Sequence, residues 1–237
     1  MMRNKQSLLL LVIAGFLKVA GAWEVDGIEG GAFISYPSAE ENLERIRVGQ
    51  TLESGVVLVT GENARVTLKN GSMGSVVLAR LSALQIKENQ RLYLARGSGL
   101  WDLRHAESSM ELEGKLAAVS VSRGTFLLEA TAVGGLKIIN LGKRMKVRAG
   151  GAPTVPLRAG ELVFARTGDE PFSRVIPIYL KELLSTSKLV DVYSEDDNWR
   201  SSVDAYAQLQ YENLTGLSEA FVGDAVTDGD VELYVKE

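Results

Sequence analysis

The sequence predicts a mainly β protein, a sandwich-like or solenoid-like body of short strands followed by a C-terminal helical extension. Three observations carry that expectation. The 237 residues include 24 glycines but only 5 prolines, as in a chain that turns often on tight loops. Turn signals recur about every 8–12 residues between short apolar runs, the spacing of all-β architectures. No helical period is sustained from Trp23 to Ala165, whereas one emerges after Thr167.

The chain opens on a segment that reads as a secretory leader. Arg3 and Lys5 precede ten uninterrupted apolar or glycine residues, Leu8 to Leu17, and Ala20-Gly21-Ala22 supplies small residues for cleavage. Ten residues are too few to span a bilayer core of about 30 Å as a helix. Cleavage after Ala22 and a periplasmic or secreted mature protein beginning at Trp23 are therefore expected. No membrane span is expected after cleavage. Losing residues 1–22 removes three bases and no acid, which leaves 23 basic and 30 acidic residues, a net charge of about −7. That balance argues against nucleic-acid binding. The chain has no cysteine, which excludes disulfides, thiolate metal sites and a cysteine nucleophile.

Strands are expected next, in order. Val56–Thr60 ends at Gly61, and Ala64–Leu68 alternates before the turn dipeptide Asn70-Gly71. Val76–Ala79, Leu84–Lys87 and Arg91–Leu94 follow, the last leading to Arg96-Gly97. Leu116–Ser122 and Thr125–Ala130 flank Arg123-Gly124, and Leu136–Leu141, Met145–Val147 and Glu161–Ala165 complete the series. Glu40–Arg47 is charged enough for one or two exposed helical turns. Gly49, Gly55, Gly61, Gly71 and Gly97 are expected to supply backbone angles closed to other residues.

Beyond Thr167, Pro177 fits the first turn of a helix whose apolar face is Ile178, Leu180, Leu183, Leu184 and Leu189. A second helix is expected over Ser201–Phe221, capped by Ser202 and weakened by Gly216. The closing DGDVELYVKE alternates like a strand. Charge shifts near residue 190. From Asp191 onward there are 12 acids against two bases, and between Trp23 and Val190 there are 18 acids against 21 bases. The expected organisation is a leader over 1–22, a β-domain over 23–167, a helix packed on it over 168–190 and an acidic extension over 191–237. The acidic stretch reads as a solvated appendage or as a segment that docks on a basic surface.

Several motifs occur in the order of a known family. Val48-Gly49-Gln50-Thr51-Leu52, Gly55, Thr60-Gly61-Glu62-Asn63-Ala64 and Asn70-Gly71-Ser72 resemble the start of a FecR-like domain. Leu81-Ser82-Ala83-Leu84 is similar to its serine-containing strand, and Leu94-Ala95-Arg96-Gly97 to its leucine–glycine turn. Val121-Ser122-Arg123-Gly124-Thr125-Phe126 resembles its arginine-glycine-threonine step, and Leu157-Arg158-Ala159-Gly160-Glu161 its closing turn. The likeness covers roughly Trp23 to Thr167. The leucine–threonine–serine stretch in Leu180–Val190 is similar to a helix that follows this domain in some stand-alone secreted members. The resemblance implies a β-rich, partly solenoid-like module that works through protein contacts. It is expected to act without the anti-sigma and membrane-spanning regions of the best-known members. An envelope protein is the implied partner, and no cofactor is implied.

Candidate chemistry is sparse. His105 is the single histidine; paired with Glu107 it can be framed as a general base, but it reads as a turn residue. Glu111 and Glu113 share a face if their segment is a strand, which admits a catalytic carboxylate pair or a solvated surface. Asp224, Asp228, Gly229 and Asp230 hint at calcium without the spacing of an EF-hand loop. Trp23, Trp101 and Trp199 can stack on sugars if exposed or fill the core if not, and Trp101 is the anchor of the alternative carbohydrate-binding reading. Lys143, Arg144, Lys146 and Arg148 form the densest basic run, expected on a solvated edge strand or against the acidic tail or an anionic envelope polymer. No catalytic or metal-binding residue is assigned. Gly124, Thr125 and Gly160 join the glycines above as structural positions.

Overall fold

The computed structural model describes residues 22–36, 43–190, 197–213, 219–221 and 234–236. All of the expected leader except Ala22 lies outside them. The protein is mainly β with helices near its C-terminus. The first strands are β1 (Trp23–Glu29), β2 (Ala32–Ser35), β3 (Glu44–Arg45), β4 (Thr51–Leu52), β5 (Val57–Thr60), β6 (Arg65–Asn70), β7 (Gly74–Leu78) and β8 (Ala83–Ile86). The longest, β9 (Leu92–Asp102), is followed by β10 (Met110–Glu113), β11 (Ala118–Val121), β12 (Thr125–Ala130) and β13 (Leu136–Asn140). Then come β14 (Met145–Arg148), β15 (Val155–Leu157), β16 (Glu161–Ala165) and β17 (Ile176–Pro177).

These strands form one continuous sheet of 17 strands folded into two layers. The first layer runs β4-β1-β6-β7-β9-β12-β13-β16-β17. The second runs β3-β2-β5-β8-β9-β10-β11-β14-β15. Strand β9 belongs to both: Leu92–Arg96 pairs with β8, and Gly97–Asp102 pairs with β7 and β12. Neighbours are antiparallel except β9 and β10, which run parallel. The chain crosses between layers every one or two strands while it advances from β1 to β17.

Between the layers lies the main core, which includes Val25, Leu58, Leu68, Leu84, Trp101, Phe126, Ile138 and Val147. A second core covers the opposite face of the first layer. There Val77, Leu100, Leu127, Ile139 and Leu162 meet Ile178, Leu180, Leu183, Leu184, Val203 and Ala207. The last five come from two helices, α1 (Leu180–Thr186) and α2 (Asp197–Asn213). Strand composition explains the difference between layers. In β12 and β13 apolar residues are adjacent, so both faces are apolar and both must be covered. In β10 and β14 apolar and charged residues alternate, which leaves one wet face.

Four expectations need correction. Pro177 lies in β17, the last strand of its layer and opposite Glu161, not in a helix; an outer strand tolerates a residue without an N–H, and the residue before proline favours extended backbone. The second helix begins at Asp197, so Ser202 lies inside it and does not cap it, and Glu219–Phe221 forms a strand, β18, paired with β19 (Tyr234–Lys236). Gly216 stands in sequence between that helix and that strand. Glu44–Arg45 is a strand beside β2, not a helical turn. The compositional boundary near 190 is not a packing boundary, because Val203 and Ala207 of α2 are buried on the body.

Candidate functional site

Three of the fragments that carry the family resemblance, those of Thr60, Ser82 and Gly97, meet at the corner where β9 changes layers. Thr60 Oγ1 donates to the Ala79 carbonyl (2.6 Å) and accepts from the Ser82 N–H (2.8 Å). Ser82 Oγ in turn donates to the Ser98 carbonyl and accepts from the Ser98 N–H, both at 3.1 Å. Gly97 takes φ +81°, and a Cβ there would lie 2.2 Å from Ser82 Oγ. Thr60, Ser82 and Gly97 therefore form one buried latch, although they are far apart in sequence. A second corner forms at the C-terminal end of β9. Asp102 accepts two bonds from the Arg104 guanidinium (Nε 2.9 Å, Nη2 2.8 Å), and Thr125 Oγ1 lies 3.4 Å from the same carboxylate.

The glycine expectation holds in part. Gly49, Gly55, Gly97 and Gly160 have positive φ; Gly61, Gly71 and Gly124 do not. Gly61 is needed for close approach, with its Cβ position 3.1 Å from the Gly31 carbonyl oxygen, and Gly124 lies against Met145. Gly71 faces open space. The unusual angle in that turn falls on Gly74, whose missing side chain makes way for the Asp102 carbonyl, while Asn70 Oδ1 accepts the N–H groups of Ser72 and Met73.

Trp23 and Trp101 do not form a binding platform. Trp101 is fully buried and stacks on Phe126 with centroids 6.2 Å apart, and Trp23 is buried in the same core. Both occupy inward positions of first-layer strands, so neither presents a face to a sugar. Trp199 lies on α2, where its side-chain surroundings are outside the described part of the structure. Asp224, Asp228, Gly229 and Asp230 also lie outside it. Among the described residues, no three His, Asp or Glu side chains come together as a metal site.

His105 and Glu107 are exposed in the turn after β9. Glu111 and Glu113 share the outward face of β10, as the alternation predicts. They do not act as a free pair: Glu113 is held by Lys87 and by Arg91 (3.0 Å), and Lys87 also stands over the Tyr93 ring, 5.0 Å from its centroid. The largely buried carboxylates of Asp102, Glu113 and Glu129 are all committed to cations within the fold.

The basic run keeps its exposure but not its expected place. Met145 and Val147 point inward and are buried, while Lys146 and Arg148 point outward, with Lys143 and Arg144 exposed in the preceding turn. Strand β14 is not an edge, since β11 pairs on one side and β15 on the other. The edge is β15, and Pro156 sits at its centre opposite Lys146. The backbone of the run is tightly held. Lys146 N–H donates to Ser122 Oγ (2.9 Å), and buried Asn140 donates to the carbonyls of Lys143 (2.7 Å) and Leu157 (2.9 Å) while accepting from Gly142 N–H (3.2 Å).

Asn140 was not identifiable from sequence as a residue that fastens the two layers, because its Leu157 partner is 17 positions away and in the other layer. Gln210 was equally hidden. Its Oε1 accepts from Leu180 N–H (2.8 Å) at the start of α1, and its Nε2 donates to the carbonyls of Gly160 and Ile178. The contact is close enough that a Cβ on Gly160 would strike it. No family model matches this chain, and no curated protein is significantly similar to it.

Proposed function

We propose that this protein is a non-enzymatic, extracytoplasmic interaction module of the bacterial cell envelope, built as a FecR-like domain with a helical roof. The observation that carries the reading is the contrast between the outer faces of the two layers. Opposite the main core, the first layer is covered by the chain's own helices. The second layer presents half-exposed Phe33, Val57, Val59 and Tyr93 on β2, β5 and β9, and the charged side chains of β10 and β14 farther along the same face. A sheet face with mixed apolar and charged groups has the composition of a transient protein interface. The family likeness draws support from the convergence of Thr60, Ser82 and Gly97, since a shared corner explains why those residue types recur together. Extracytoplasmic placement rests on the leader-like residues 1–22. The carbohydrate alternative is weakened at its chosen anchor, because Trp101 is in the core.

The test uses the full chain exported from its own leader. Mass spectrometry of the exported protein should find Trp23 at its N-terminus; retention of residues 1–22 on a cytoplasmic product would overturn the placement. A photo-crosslinking residue at Tyr93 should then give a discrete adduct with an envelope protein, and one on the exposed α1 position Lys181 should not. Co-purification of envelope glycan without any protein adduct would replace the interaction reading with the carbohydrate one.

A further inference from the structure

We infer that the outward cations of β14 and its preceding turn, Lys143, Arg144, Lys146 and Arg148, dock an extended acidic segment of a partner protein. The inference rests on the interaction reading above and names its chemistry. None of the four cations is engaged in an ion pair among the described residues, whereas Lys87, Arg91, Arg104 and Lys137 all are. Four unneutralised cations in six residues form the densest basic run of the sequence. Their presentation is stiff. Met145 and Val147 anchor the strand from the core side, Ser122 fixes its backbone and Asn140 fastens the turn. Little ordering entropy is then lost by the backbone when a ligand binds.

Geometry selects the kind of ligand. Outward side chains two apart on a strand recur every ~6.8 Å, the period at which acidic residues two apart recur along an extended peptide. The positive rank is one strand wide. Next to Arg148 stands Ser120 and then Glu111, and next to Lys146 stands Pro156. A membrane surface or a nucleic-acid duplex calls for a broader positive face. A single-stranded nucleic acid calls for stacking aromatics, and β11, β14 and β15 carry none. Strand addition at the β15 edge is disfavoured, because that edge is three residues long and Pro156 lacks an N–H. The partner segment is therefore held by side-chain charge across the face.

The experiment measures fluorescence anisotropy of a labelled peptide of about ten residues with glutamate at alternate positions, against the full mature chain at about 50 and about 300 mM NaCl. Binding is expected at the lower salt and should weaken at least about tenfold in Lys146→Glu/Arg148→Glu. It should change less than about twofold in Lys181→Glu, an equal charge change per site on α1. The neutral pair Lys146→Gln/Arg148→Gln should also weaken it, which guards against a folding defect from charge reversal. A peptide of the same composition with its glutamates in one block should bind several-fold more weakly. The inference is overturned by the absence of peptide binding, by equal or tighter binding of polyphosphate or anionic vesicles, or by an equal effect of Lys181→Glu. It is also overturned in favour of self-docking if deletion of residues 214–237 is needed before the peptide binds. Peptide failure with the Tyr93 adduct intact would remove this inference and leave the interaction reading standing.

Discussion

Strands β13 and β14 follow one another in the chain, and each has lysine second: Leu-Lys-Ile-Ile-Asn and Met-Lys-Val-Arg. Lys137 is only 3% exposed, whereas Lys146 stands in solvent. The strands differ in layer. On β13 the outward residues Lys137 and Ile139 face the side that α1 and α2 roof, while on β14 the outward residues face water. Lysine is tolerated on β13 because Glu129 lies directly opposite across the β12–β13 ladder and forms an ion pair with it. The comparison teaches that a charge in a strand is not by itself a marker of the wet face. The residue two positions after it is more informative: Ile139 makes both faces of β13 apolar, and Arg148 keeps β14 one-sided.

The largest expected effect breaks this comparison at its lysines. Lys137→Met should cost about 3–5 kcal/mol, because it leaves Glu129 enclosed without its cation. Adding Glu129→Leu should return stability to within about 1 kcal/mol of the starting protein, since a packed apolar pair often replaces a buried ion pair without loss. Lys146→Met should change stability by less than about 0.5 kcal/mol. Urea midpoints at constant m decide the matter. A small effect of Lys137→Met would mean that the roof does not seal this part of the layer.

Much of the architecture was legible because it depends on local chemistry. The alternation of Met145–Arg148 and the turn at Asn70-Gly71 each announce themselves within a few residues, whereas the turn expected at Arg96-Gly97 is a corner inside β9. The layer assignment was not legible, because whether Ile139 meets helices or water is decided by Leu183 and Leu184, over 40 positions later. The acidic composition after residue 190 likewise concealed α2, whose inward side is the modest series Val203, Ala207 and Gln210. For the candidate surface, sequence marked the cations but placed them on an edge, since pairing with both β11 and β15 is long-range information. The aromatic candidate failed for a similar reason: the inward face of β9 shifts by one residue across the corner, from Leu92 and Leu94 to Trp101, through a register irregularity against β8. That corner supplies the middle prediction. Gly97→Ala should destabilise by at least about 2 kcal/mol, through positive φ and the clash with Ser82. Gly71→Ala, with ordinary φ and open space, should stay within about 0.5 kcal/mol of the starting protein. Equal effects at the two glycines would mean that turn composition matters and the Thr60–Ser82–Gly97 latch does not.

The smallest effect tests how the roof is joined to the layer that it covers. Gln210 on α2 bonds both to the start of α1 and to the sheet corner, through Leu180 N–H, the Ile178 carbonyl and the Gly160 carbonyl. α1 has no side-chain cap of its own, since Tyr179 precedes it, so Gln210 performs from another helix what an N-cap residue does locally. Gln210→Ala should therefore cost about 1–2 kcal/mol and raise hydrogen exchange at the Leu180 amide more than at amides of β13. Gln210→Glu separates the two halves of the contact: it keeps the acceptor for Leu180 N–H and loses both donors. A carboxylate at the start of a helix is favourable, but here it would face the Gly160 and Ile178 carbonyls. Protection at Leu180 should then survive while global stability falls. If both variants leave Leu180 equally protected, the apolar packing of Leu183, Val203 and Ala207 alone seats the roof, and the asymmetry of the two layers rests on burial without a polar fastening.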